Sequence, residues 1–254
     1  MKTTTMVVIG FGTLVVLGGA LVTGANLWKS GLVIKNVVVH GNRVIDTNEI
    51  LQLAHITEGS RLYDLDLLEI QRDVVSHYFL KAAVVERDPP STVRITVTER
   101  TPVAMINTGE VRFLDGEGVV LPHAVSGELF DLPFISGIPQ DAQTEVGSTL
   151  THPDIREALE ILVAAPVVSP ELSHLLSEIH LRSGGDVILY AAEGAVPILF
   201  GRGDAPKKLL LLDTFWKDAV LERGPASVQY IDIRFTDQVI VKWKQGNTKY
   251  PKRS

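Results

Sequence analysis

The chain has 254 residues, 45% of them apolar and 21% charged, so it is long enough for two modest domains and too apolar for a disordered chain. Its formal net charge of −6 at pH 7 argues against a nucleic-acid reader, which would need clustered basic residues to neutralise phosphates. Without cysteine it has no disulfide framework, thiolate metal site or cysteine nucleophile.

The amino-terminal stretch predicts one transmembrane helix, residues 6–28, after a short head, residues 1–5. Met6 to Leu27 contains no charged side chain and matches the roughly 20 residues that cross ~30 Å of hydrocarbon. The alternative is a cleaved signal peptide with a small-residue cleavage site at 23–25, although its apolar region usually runs only about 7 to 15 residues. The basic residues on the two sides of this helix are balanced, so the charge rule does not decide its orientation. We place the amino terminus in the cytoplasm and the body outside, because long domains can be translocated regardless of charge and the head is short.

Residues 32–100 predict a small α/β module. Asp46 and Asp66 each precede a glutamate by three residues, a pattern typical of helix N-caps. The second helix is expected to bury one apolar stripe, formed by Leu67, Ile70, Val74 and Tyr78. Three strands complete the order β-α-α-β-β: Leu32–His40, Lys81–Arg87 and Thr92–Glu99.

Residues 101–246 predict a larger β-rich domain. Gly116 and Gly118 indicate a hairpin within Arg112–Leu121, and Leu132–Gly137 is a short apolar strand. A helix begins at Thr151 or Asp154, and we expect Pro166 to end it. Three segments then predict consecutive antiparallel strands: Glu178–Arg182, Asp186–Tyr190 and Ala195–Phe200.

The last part of this domain predicts one helix and two strands. The helix follows Gly201 and is expected to bury Leu209, Leu212, Trp216 and Ala219. The strands are Val228–Phe235 and Val239–Lys244, joined by a turn that contains Asp237 and Gln238. Residues 247–254 form a carboxy-terminal tail.

The sequence offers little for catalysis. The seven histidines are spread along the chain and form no HExxH motif. The segment Gly201–Lys207 superficially resembles a phosphate-binding loop, but it lacks a glycine directly before Lys-Ser/Thr, and Pro206 removes an amide donor. We therefore predict no catalytic residue, no metal and no cofactor.

The final strand predicts a protein-binding edge. It alternates two sets of side chains: Val239, Val241 and Trp243 against Ile240, Lys242 and Lys244. At a sheet boundary its unpaired N–H and C=O groups can template another strand, and no proline or inward charge blocks it. A partner would then bind by strand addition. The alternative is that Trp243 only packs on the core of its own domain.

Five segments resemble the FtsQ/DivIB family of bacterial cell-division proteins: VVVHGN, KAAVVERDPPSTVRITVTERTPVA, FLDGEGVVLP, GRGD and YIDIRF with VKW. The resemblance covers essentially the whole chain. It implies an α+β protein with an amino-terminal transmembrane helix, a small β-α-α-β-β POTRA domain and a larger, mostly antiparallel β-sheet domain with flanking helices. It also implies a non-catalytic scaffold in the cytoplasmic (inner) membrane at the division site.

The same resemblance implies the partners and the residues that bind them. The family holds the periplasmic parts of FtsB, and through it FtsL, while FtsK, FtsW and FtsI are further candidates. Arg234, Phe235, Asp237 and Gln238 match the strand and turn at this interface, and Arg202 matches a basic residue that pairs with an acid of FtsB. Alternatives are a POTRA-bearing assembly or secretion factor, which would need repeated POTRA modules or a carboxy-terminal barrel, and a secreted enzyme with a cleaved signal peptide.

Overall fold

The computed structural model describes residues 2–107, 109–123, 130–139, 142–182, 184–235 and 237–244, with the side chains of 2–13 and 26 excluded. The predicted tail, 247–254, and the side chains of the predicted head, 1–5, therefore lie outside the described residues. The chain divides into two compact units, Met1–Arg100 and Thr101–Ser254.

The first unit begins with helix α1 (Lys2–Ser30), which covers the predicted transmembrane stretch. Over the side chains that the structure describes, no helix has both the length and the apolar character that a membrane crossing requires. The remaining elements are β1 (Asn36–His40), α2 (Thr47–Ala54), α3 (Leu67–Val75), β2 (Leu80–Asp88) and β3 (Thr92–Glu99).

The order β-α-α-β-β is confirmed, and the three strands form a sheet in the order β1-β3-β2. Both predicted caps are present, because the Asp46 carboxylate accepts from the Asn48 amide and the Asp66 carboxylate accepts from the amides of Leu68 and Glu69. The stripe of α3 is correct for the buried Ile70 and Val74. It is wrong for Tyr78, which lies beyond the end of the helix and is half exposed.

The described residues of the second unit form nine strands and three main helices. They are β4 (Pro102–Asn107), β5 (Val111–Asp115), β6 (Val120–Pro122), β7 (Phe134–Ser136), α4 (Pro153–Val168), α5 (Pro170–Leu175), β8 (Leu176–Leu181), β9 (Val187–Ala191), β10 (Pro197–Gly201), α6 (Ala205–Phe215), β11 (Val228–Asp232) and β12 (Ile240–Trp243). One sheet holds all nine strands in the order β12-β11-β10-β9-β8-β7-β4-β5-β6.

This sheet is mixed, and five of the eight strand pairings among the described residues are antiparallel, so the expectation of a mostly antiparallel sheet is confirmed. The predicted meander β8-β9-β10 is antiparallel, as expected. Three other neighbours are parallel: β4 with β7, β7 with β8, and β10 with β11. Helices α4 and α5 connect β7 to β8, and α6 connects β10 to β11, since parallel neighbours need a long crossover.

Helix boundaries also differ from the sequence prediction. Pro166 lies inside α4, which continues to Val168. A proline in the last turn removes one amide bond near a helix end that fraying already weakens, so it does not stop the helix. After α6 the chain continues as a π-helical segment, Trp216–Val220, which buries Val220 and leaves Ala219 only partly buried.

Candidate functional site

Strand β12 is the edge of the nine-stranded sheet. It pairs antiparallel with β11, with Val241 opposite Ile231 and Ile240 opposite Asp232. Among the described residues, no strand pairs with its outer side. The predicted edge position is therefore confirmed, although the strands are shorter than expected at Val228–Asp232 and Ile240–Trp243.

The hydrogen-bond pattern identifies which backbone groups of β12 face outward. The Lys244 amide donates to the Ser227 carbonyl at 2.7 Å, so residue 244 points its backbone toward β11. Backbone direction alternates along an antiparallel strand, so residues 240 and 242 also point inward. The N–H and C=O groups of Val239, Val241 and Trp243 then form the outward row.

The side chains of the edge divide between two faces. Val239, Val241 and Trp243 are partly buried and pack against the core of the unit. The Arg223 guanidinium lies 4.6 Å from the centre of the Trp243 ring. Trp243 therefore packs on the core of its own domain, as the alternative prediction stated, but its side chain is only partly buried. Ile240, Lys242 and Lys244 are exposed on the opposite face.

The segment before β12 carries an internal ion pair. The Asp232 carboxylate accepts from Arg234 Nε at 3.0 Å and from Arg234 Nη2 at 2.7 Å. The bond from Arg234 lowers the pKa of Asp232 below its ordinary value and raises the pKa of Arg234. Phe235, next to this pair, has 45% of its surface exposed.

The turn between β11 and β12 is fixed by a second pair. Asp237 adopts a left-handed backbone, with φ of 62°, a conformation that aspartate tolerates better than most residues. Its carboxylate lies 2.6 Å from Lys207 Nζ, and the hydrogen bond raises the pKa of Lys207. The turn therefore contacts the start of α6, and Gln238 beside it is exposed.

Arg202 lies on the loop between β10 and α6, and its guanidinium is already bound within the chain. It forms an ion pair with Asp154 at the start of α4, and its Nε donates to the Gly185 carbonyl oxygen. The next amide, from Gly203, donates to Glu157 Oε1 at 2.7 Å. Helix α4 and the β8–β9 hairpin therefore hold the loop in place.

Three segments predicted to bind a partner meet at one end of the sheet: the loop with Arg202, the segment with Arg234 and the turn with Asp237. Arg234 Nη1 lies 3.9 Å from Asp186 in the β8–β9 connection, which also supplies the Gly185 carbonyl that binds Arg202. A β-carbon added to Gly201 would lie 3.0 Å from the Arg234 side chain. Arg202, Arg234 and the Asp237 turn are therefore neighbours.

Sequence reasoning missed the acidic partners of these basic residues and the buried Lys208. Asp232 could have been found, because residues two apart on an extended segment share a face. Asp154 could not, since it lies 48 positions from Arg202 and only the fold brings them together. Helical spacing could have found Lys208, which precedes the predicted buried residues Leu212 and Trp216 by four and eight positions, whereas Lys207 lies on the exposed side of α6.

Two family models match the chain in the order of its two units. The POTRA domain, FtsQ-type, matches residues 32–100, and the carboxy-terminal domain of cell division protein FtsQ/DivIB matches residues 104–234. The fold is thus a POTRA module followed by this β-rich domain. The chain belongs to the FtsQ/DivIB family of cell division proteins.

Its relatives include several proteins described as cell division protein FtsQ. The one from Rhodothermus marinus is 33% identical, over 88% of this chain and 82% of that protein. The one from Geotalea daltonii is 29% identical, over 87% of this chain and 78% of that protein. The one from Salinibacter ruber is 25% identical, over 85% of this chain and 84% of that protein.

Proposed function

We propose that this chain is a non-catalytic, single-pass membrane scaffold of the bacterial divisome that captures the periplasmic part of FtsB, and through it FtsL. An FtsB strand would add to the outer side of β12, next to Val239, Val241 and Trp243. The main support is that β12 lies at the sheet edge and directs the backbone N–H and C=O groups of these three residues outward. Main-chain hydrogen bonds supply affinity in strand addition, and side-chain contacts supply choice.

The residues around β12 support this surface. Phe235 is exposed beside the edge and can serve as an aromatic anchor. Arg202, Arg234, Asp237 and Gln238 shape the adjoining end, where three segments of the domain meet. Capture here would help assemble the septal wall synthesis machinery, with FtsK, FtsW and FtsI as further partners.

Two variants at one position test the strand addition. Val241→Pro removes an outward amide and leaves the bonds between β11 and β12 intact, whereas Val241→Ala keeps the amide and trims the side chain. We expect the proline variant to lose capture of the cognate FtsB segment and the alanine variant to keep most of it. Phe235→Lys should also weaken capture. Undiminished binding by both Val241→Pro and Phe235→Lys would refute the site.

We further propose that α1 anchors the chain in the cytoplasmic membrane, amino terminus inside, with domains 32–100 and 101–246 outside. The support is the uncharged stretch Met6–Leu27, about as long as a bilayer-spanning helix. Retention in the membrane pellet after an alkaline wash, together with a fluorescent band at midcell, is the expected result. A mature chain that begins near Asn26 would instead indicate a cleaved signal peptide.

A further inference from the structure

The positive side chains at the two ends of β12 differ in whether a carboxylate of the same domain pairs with them. At the beginning, each positive group already has a carboxylate: Arg234 binds Asp232 at 2.7 Å and Lys207 binds Asp237 at 2.6 Å. At the other end lie Lys242, Lys244 and Arg223, all exposed. Within the described parts of the chain, no carboxylate lies within ion-pair distance of these three.

The contacts of these three residues are made with neutral groups. Lys244 Nζ donates to the Ala226 carbonyl at 2.9 Å, and Arg223 stacks over the Trp243 ring. Lys242 lies opposite Tyr230 on the exposed face of the strand. Positive charge that its own domain does not neutralise therefore accumulates beside the last residues of the open edge.

We infer that the segment that adds to β12 carries acidic side chains beside Lys242 and Lys244, and that these lysines, more than Arg202 and Arg234, select it by charge. This inference rests on the strand addition proposed above. Side chains directly opposite on neighbouring strands lie about 5 Å apart, and those of one face recur every second residue. The two acids should thus be separated by one residue, with an apolar side chain two positions further on, beside Ile240.

An acidic side chain of the partner should gain more free energy from pairing with the two lysines than with the two arginines. Asp154 and Asp232 already offset the positive charge of Arg202 and Arg234, so a further acid from the partner would gain less attraction there. Lys242 and Lys244 have no such internal acid. Opposite-charge pairs across strands strengthen pairing by about 1.4- to 5-fold each, so two pairs give on the order of tenfold.

The test measures capture of the cognate FtsB segment by the full-length chain in detergent, at low and at high salt. Lys242→Gln with Lys244→Gln should weaken binding about tenfold at low salt and flatten its salt dependence, since exposed charges are screened. Arginine at both positions should retain binding. Lys217→Gln is the matched control, because this exposed lysine already pairs with Asp213 away from the edge.

A charge swap completes the test. Lys242→Glu with Lys244→Glu should abolish capture, and changing the facing acids of the FtsB segment to lysine should restore it. Wild-type affinity of the glutamine double variant, with capture lost in Val241→Pro, would overturn the charge selection and leave the strand addition standing. If Val241→Pro also binds as wild type, the edge itself is not used and the proposed function fails.

Discussion

Lys208 lies beneath the loop that carries Arg202, and its ammonium donates to the Arg202 carbonyl oxygen at 2.5 Å. It also donates to the Phe200 carbonyl at 3.1 Å and lies 4.9 Å from the centre of the Phe200 ring. Only 7% of its surface is exposed. A buried cation therefore fixes the loop between β10 and α6, next to the start of the helix that contacts the Asp237 turn.

Replacing this lysine should loosen the loop. Lys208→Met leaves the two carbonyls without their donor but also removes the cost of burying a charge. We expect the net effect to be a fall of about 1–2 kcal/mol in the free energy of unfolding at neutral pH. Denaturant unfolding measures this, with the exposed Lys207→Gln as a control of small effect. Equal stability of Lys208→Met and wild type would show that the two bonds contribute nothing.

The same lysine predicts a pH dependence. Burial lowers the pKa of Lys208, so between its folded value and the ordinary value of about 10.4 the unfolded chain binds more protons than the folded chain. The stability of wild type relative to Lys208→Met should therefore rise as the pH rises through this window. A relative stability that falls over the same range would contradict the direction of the shift.

The Asp232–Arg234 pair predicts a second pH dependence, of the same sign but in acid. Because Arg234 lowers the pKa of Asp232, the stabilisation is complete above the unfolded value near 3.9 and is lost as the pH falls through the folded value. Asp232→Asn should cost about 1–2 kcal/mol at pH 7, discounted for the partly exposed arginine, and the difference should close in strong acid. A difference that is constant with pH would exclude the ion pair as its cause.

Two glycines, one at the end of β10 and one in the loop that follows, allow a matched comparison. Gly201 and Gly203 have φ of 71° and 70°, so alanine is strained at both and costs about 1 kcal/mol. A β-carbon at Gly201 would also approach Arg234 Cγ to 3.0 Å, whereas nothing lies within 4 Å at Gly203. We expect Gly201→Ala to be the less stable variant and to bind the FtsB segment more weakly. Equal effects would mean that Arg234 moves aside freely.

In the POTRA module one carboxylate holds the loop after β1. Glu99 accepts from the amides of Arg43, Val44 and Ile45 at 2.9–3.1 Å. Glu99→Gln removes the charge that strengthens these bonds, so hydrogen exchange at the three amides should quicken about tenfold. The exposed Glu58→Gln serves as control, and unchanged exchange in Glu99→Gln would assign the loop's rigidity to packing.

Local signals predicted the local features of this fold. The caps at Asp46 and Asp66 involve neighbours within three residues, so the sequence carries the whole interaction. Parallel pairing of β7 with β8 depends on how α4 and α5 pack back onto the sheet, which a strand pattern does not contain. The ion pair of Arg202 with Asp154 likewise required the tertiary fold.

Residue-resolved hydrogen exchange on β12, with and without the cognate FtsB segment, tests the central claim most directly. In the free chain the amides of Val239, Val241 and Trp243 should exchange quickly and those of Ile240 and Lys242 slowly, because only the second set points toward β11. Binding should slow the first set to the rate of the second. Outward amides that are already protected in the free chain, or that stay fast in a complex that has formed, would contradict strand addition at this edge.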